Sequence, residues 1–77
     1  MKLTLRVQAV QRTRRGSICR YRVDGLPQGQ EADIANFGAP YRDDWRLLTI
    51  RGGVQSPWIG HYVSADEALT SNIRLLA

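Results

Sequence analysis

Residues 2–9 alternate without a break: Leu3, Leu5, Val7 and Ala9 interleave with Lys2, Thr4, Arg6 and Gln8. A period of two over eight residues is incompatible with an amphipathic helix and predicts a half-buried strand. It places Leu3, Leu5, Val7 and Ala9 toward a core and Lys2 and Arg6 toward solvent. Cys19, Tyr21 and Val23 resume the inward parity, leaving Ile18, Arg20 and Arg22 on the other face. The polar run Gln11–Ser17, with one Gly, suits a hairpin connection longer than two residues. Asp24-Gly25 ends the second strand.

A second hairpin is predicted from Trp45–Arg51 and Trp58–Val63, with Gly52-Gly53 as its turn and Pro57 limiting where the return strand begins. Both strands are apolar on both parities. Trp58 and Tyr62 share one, Ile59 and Val63 the other. Between the hairpins, residues 26–44 are the least legible. Glu31–Phe37 alternates weakly, and a short edge strand or irregular segment is expected there.

Ser64 starts a helix. A Ser N-cap with Glu67 three residues on forms a capping box, and Asp66 and Glu67 favour the positive end of the helix dipole. Ala65, Ala68, Leu69, Ile73 and Leu76 fall on one face. About three helical turns are marginal alone in water, so this face needs a sheet to cover. The expected fold is α+β: one compact domain over residues 1–77, with a small antiparallel sheet of about four strands in two hairpins and one C-terminal helix packed on a face.

At 77 residues, with 43% hydrophobic and 23% charged side chains, the chain suits a small globular domain. No run approaches a membrane span and the N-terminus lacks a signal-peptide core, so a soluble cytoplasmic protein without a membrane partner is expected. Cys19, the single cysteine, excludes an internal disulfide and is expected to be a buried, inert thiol.

Charge is segregated. The net charge is +4, and ten of the eleven basic residues are Arg. Residues 1–24 carry Lys2 and six arginines against Asp24, whereas residues 25–44 carry Arg42 against four carboxylates. Strand parity gathers Arg6, Arg20 and Arg22 on the face opposite the core, while Arg12, Arg14 and Arg15 crown the turn. Clustered cations steer association with an anionic partner, so these six arginines form the candidate partner-binding surface. Trp58 and Tyr62 are the candidate aromatic anchor, Trp45 beside them.

Catalytic residues are not assigned. His61, the only histidine, has no identifiable partner to orient it, and a partly buried or edge position is expected. Asp43-Asp44 reads as a solvated loop. Nothing in the spacing predicts a metal site or a cofactor. The stretch Gly60–Leu69 resembles the strand-to-helix junction of many small α/β proteins, HicB-type antitoxins among them. The compact layout is similar to that of small phage-encoded inhibitors such as anti-CRISPR proteins. No motif carries over residue by residue, and no family is assigned. The expected function is a non-enzymatic binding module, an adaptor or inhibitor docking on an acidic protein surface. The alternative is a phosphate-contacting DNA- or RNA-binding protein.

Overall fold

The computed structural model describes residues 2–14, 16–39 and 41–76, with the backbone path alone at 11, 13 and 16–18. Six strands form one antiparallel sheet: β1 (Thr4–Thr13), β2 (Gly16–Asp24), β3 (Gln30–Asn36), β4 (Trp45–Arg51), β5 (Val54–Gln55) and β6 (Ile59–Tyr62). Two short helices follow, α1 (Ala65–Thr70) and α2 (Ile73–Leu76). The sheet order is β1-β2-β3-β4-β5, and β6 also pairs with β4. The architecture is therefore α+β with C-terminal helices on an antiparallel sheet, as expected, but with six strands instead of about four.

The segment expected at an edge is instead central. β3 pairs with β2 through Arg20↔Ala35, Tyr21↔Ile34 and Arg22↔Asp33, and with β4 along its whole length. The hairpin of β4 and β5 turns on Gly52 and Gly53, both at positive φ (57° and 82°). A two-residue turn with both residues left-handed matches the twist of the flanking strands and favours glycine. Beyond Pro57, β6 takes over the same edge of β4. The return strand is thus split in two.

The core lies between the sheet and the helices. Val23, Ala32, Ile34 and Leu47 meet Ala65, Ala68, Leu69 and Leu76, with Leu3, Leu5, Tyr21, Leu26, Trp45, Ile59 and Tyr62 packed around them. Two irregularities change which residues reach it. Between Val7 and Ala9 the β1–β2 register slips, Val7 facing Tyr21 and Ala9 facing Arg20, so Gln8 is an extra residue. Ala9 therefore turns to the face of Arg20, contrary to the unbroken alternation, and Val10 takes the side of Cys19. In β6, Tyr62 faces Trp45 and Ile59 faces Leu47. Three residues of one strand span two of the other, so Ile59 and Tyr62 both face the core and Val63 is exposed. Trp58 and Tyr62 are consequently on opposite faces. The Gly60–His61 peptide is cis.

The first hairpin outruns the sheet. β2 pairs with β3 only as far as Arg20, so Ala9–Cys19 continues as a two-stranded arm, and the molecule measures 38 × 23 × 20 Å. Val7 and Val10, expected or turned toward the helix side, are each 54% exposed because no helix reaches them. Cys19 is half-buried at the root of this arm.

The helix starts as predicted. The Glu67 amide donates to Ser64 Oγ (3.0 Å), while Glu67 Oε2 accepts from the Val63 amide (3.0 Å), one residue earlier than in the standard capping box. It ends sooner than predicted. Thr70, Ser71 and Asn72 are three poor helix formers in succession. The Asn72 side chain donates to the Ala68 carbonyl (2.7 Å) and to the Tyr62 hydroxyl (3.1 Å), fixing a turn in place of a continuous helix. Leu76 remains buried, but Ile73 rotates out and is 46% exposed. The Arg51 guanidinium donates to the Leu75 carbonyl and ties α2 to the end of β4.

Candidate functional site

The sheet face away from the helices is built from residues opposite in parity to the core: Arg6, Arg20 and Arg22 from the first hairpin, Asp33 from β3, and Leu48 and Arg46 from β4. Parity thus predicts the side of the three arginines, but the face is not a simply solvated one. Arg6 Nε donates to Asp24 Oδ2 (2.9 Å). Arg20 Nη2 donates to Asp33 Oδ2 (2.7 Å) and Arg22 Nε to Asp33 Oδ1 (3.0 Å), with Glu31 3.5 Å from Arg22 Nη1. Asp33 itself is buried. The like-charge repulsion expected between Arg20 and Arg22 is relieved by a carboxylate shared between them.

A second carboxylate organises the other end. The Asn36 side-chain oxygen accepts from the Gly38 and Asp44 amides (2.9 and 3.1 Å), and the Phe37 amide donates to the Asp44 carbonyl (2.9 Å), folding residues 37–44 back to the start of β4. Asp44 is thereby buried at 3% exposure, not solvated as the Asp43-Asp44 pair suggested. It receives both Arg46 nitrogens (Nε 3.1 Å, Nη2 2.9 Å), a bidentate arrangement. It also lies 2.5 Å from His61 Nδ1. The partner that orients His61, not identifiable from the sequence, is therefore Asp44, and of the two expected positions His61 takes the edge one, exposed on β6, which pairs with β4 alone.

Between these two carboxylates runs a row of guanidinium and aromatic groups. The Arg20 guanidinium sits 5.4 Å from the Trp58 ring centre, Trp58 meets Phe37 edge-on at 4.8 Å, and the Arg46 guanidinium lies 4.7 Å from the Phe37 centre. These are cation–π and T-shaped contacts. Trp58 is half-buried and Phe37 is 47% exposed. Of the proposed aromatic anchor, only Trp58 is on this face. Tyr62 and Trp45 pack against the core, Trp45 with its ring 5.8 Å from that of Tyr21. Phe37 carries no signal of its own in the sequence, because it follows a weakly alternating segment, Gln30–Asn36, whose central place in the sheet depends on partners distant in the chain.

Of the other three candidate arginines, two are on the arm. Arg12 and Arg14 are exposed and form no ion pair among the described residues; Arg15 lies outside the described residues. Among the described residues, Arg12 and Arg14 therefore carry positive charge on the arm without an ion pair, whereas the arginines of the sheet face are balanced by carboxylates. Among the described residues no group of three or more His, Cys, Asp and Glu is placed to hold a metal ion. No helix among them is long and apolar enough to cross a membrane.

The two ion-pair nodes make stability depend on acid. Arg46, chiefly, and His61 hold the Asp44 carboxyl at about 2 against the opposing effect of its desolvation. Burial pushes the Asp33 carboxyl up, but hydrogen bonds from Arg22 and Arg20 outweigh it and leave Asp33 below the usual carboxylate range. Both groups bind protons less readily in the folded state than in the unfolded chain. Their contribution is therefore complete above the ordinary carboxylate pKa, near ~4, and is lost as pH falls toward 2. Urea midpoints measured from pH 6 down to pH 2.5 are expected to drop mainly below pH ~4. A flat profile over that range would show that neither node contributes.

The fold and this face define a small α+β sheet-and-helix domain whose helix-free side carries a guanidinium–aromatic row flanked by a basic two-stranded arm. Compared with known proteins, the chain matches no family model, and no curated protein and no solved structure matches it significantly.

Proposed function

We propose that the chain is a non-enzymatic binding module that acts by covering a surface of another protein, as an adaptor or inhibitor. The observation that carries this reading is the Arg20–Trp58–Phe37–Arg46 row on the helix-free face. Arg and aromatic residues are the types enriched at the centres of protein interfaces. Here Asp33 and Asp44 fix the guanidinium groups in advance, which lowers the side-chain entropy lost on docking. The arm, with Arg12 and Arg14 exposed on it, supplies a positive charge without an ion-pair partner among the described residues, which steers and orients an acidic partner.

A second reading has one observation in its favour. A two-stranded ribbon is of a width that the DNA major groove admits, and the arm is such a ribbon with a basic tip. The two readings separate by salt and by nuclease. Capture of a partner from host extract is expected to survive nuclease digestion, to fall sharply in Arg12→Glu/Arg14→Glu, and to fall in Phe37→Ala with the fold intact by circular dichroism. Oligonucleotide binding whose log–log salt slope reaches about −0.9 per phosphate contact, abolished by the same arm reversal, would replace the first reading by the second. Charge reversal at Arg20 and Arg22 is not a fair test of either, because it would set two further carboxylates against Asp33.

A further inference from the structure

We propose that Nε2 of His61 is a phosphoryl-acceptor site, served by a phosphoramidate or acyl-phosphate donor, with Asp44 positioning the imidazole and Arg42 receiving the phosphoryl oxygens. The geometry fixes the reactive atom. Asp44, ionised and held by Arg46, only accepts hydrogen bonds, so the 2.5 Å contact at His61 Nδ1 places the ring proton there. In the neutral ring the lone pair is then on Nε2, and no described residue engages it. The His61 side chain is 68% exposed.

The surroundings select the chemistry. His61 lines a depression of about 280 Å³ with Arg42, Asp43 and Asp44. Among the described residues no hydroxyl or thiol lines it; the other lining nucleophiles are carboxylates, of which Asp44 is engaged by Arg46 and His61, so the nitrogen-linked product distinguishes the imidazole from Asp43. Arg42 is 76% exposed and 4.0 Å from Asp44, loosely held compared with Arg46, and its guanidinium is free to turn toward an anion. Arginine suits phosphoryl oxygens because its planar fork meets two of them together.

With phosphoramidate as donor, the Nε2 lone pair attacks phosphorus and forms the N–P bond. The donor's P–N bond breaks, and ammonia leaves with the bonding pair. The imidazole gains positive charge while keeping its Nδ1 proton, and the Asp44 carboxylate balances that charge, the role of an orienting carboxylate beside an imidazolium.

Phosphoramidate is also the probe. Because His61 is the only histidine, intact mass reports the yield and heteronuclear NMR reports which nitrogen is labelled. The folded protein is expected to take one phosphoryl group, on Nε2, roughly tenfold faster than the same chain in urea, about the worth of one charge-assisted hydrogen bond. Asp44→Asn, which removes the charge and keeps the shape, is expected to slow labelling; Arg42→Ala is expected to slow it without changing the nitrogen labelled. Equal rates in the folded and unfolded chain, or labelling at Nδ1, would overturn the proposal. So would an unchanged rate in a folded Asp44→Asn. If that variant does not fold, the nitrogen labelled in the wild type and its folded-to-unfolded rate ratio decide the matter.

Discussion

Asp33→Ala is expected to destabilise the domain by roughly 2–3 kcal/mol. Removing one partner of a buried ion pair typically costs about 3–5 kcal/mol, because the other charge is left without compensation. That range is discounted here, since the Arg20 and Arg22 side chains keep 41% and 25% of their exposure and water recovers part of the loss. Asp33 nonetheless serves two cations at once, and Arg20 Nε is already buried without an acceptor. Urea denaturation at pH 7 measures the effect, and Asp33→Asn, isosteric but uncharged, separates charge from packing. A loss no larger than about 0.5 kcal/mol, the usual scale of a neutral surface change, would show that the shared carboxylate does not organise the face.

Ile34→Ala is expected to cost about 2–5 kcal/mol, the range for truncating a buried isoleucine. Ile34 is wholly enclosed, flanked across the sheet by Tyr21 and Leu47 and belonging to the cluster that includes Ala68 and Leu69. For a domain of this size the total stability is itself on the order of 4–12 kcal/mol, so the loss is a large fraction of it and is read as a lowered urea midpoint. Ile34→Val, removing one methylene, should cost about 0.5–1.5 kcal/mol. A graded pair of this kind is what a central strand demands. An alanine variant as stable as the wild type would return β3 to the edge.

These two residues, adjacent in sequence, show where the sequence was legible and where it was not. The alternation in β2, that in β1 as far as Val7, and the cap at Ser64 are local signals, each complete within a few residues, and each is found in the fold. β3 was obscured by Asp33. A charge in mid-strand argues for an edge, and the arginines that make it acceptable are 11 and 13 residues away on another strand. The same holds for the candidate site. Asp44 and His61 are 17 residues apart and meet only because β6 pairs with β4. Trp58 and Tyr62 share a parity in the sequence that one extra residue in β6 breaks. The helix break had a visible sign in Thr70-Ser71-Asn72, which the apolar spacing outweighed.

The separation of the two tryptophans across the sheet gives the molecule a built-in optical readout. Trp45 is packed with the core beside Tyr21, and Trp58 is held on the outer face between Arg20 and Phe37. A chain carrying Trp45→Phe keeps one indole, whose emission senses the helix-free surface and anything seated on it. A chain carrying Trp58→Phe keeps the other, whose emission follows exposure of the interior. The two fluorophores thus report occupancy and integrity as independent signals from one small domain.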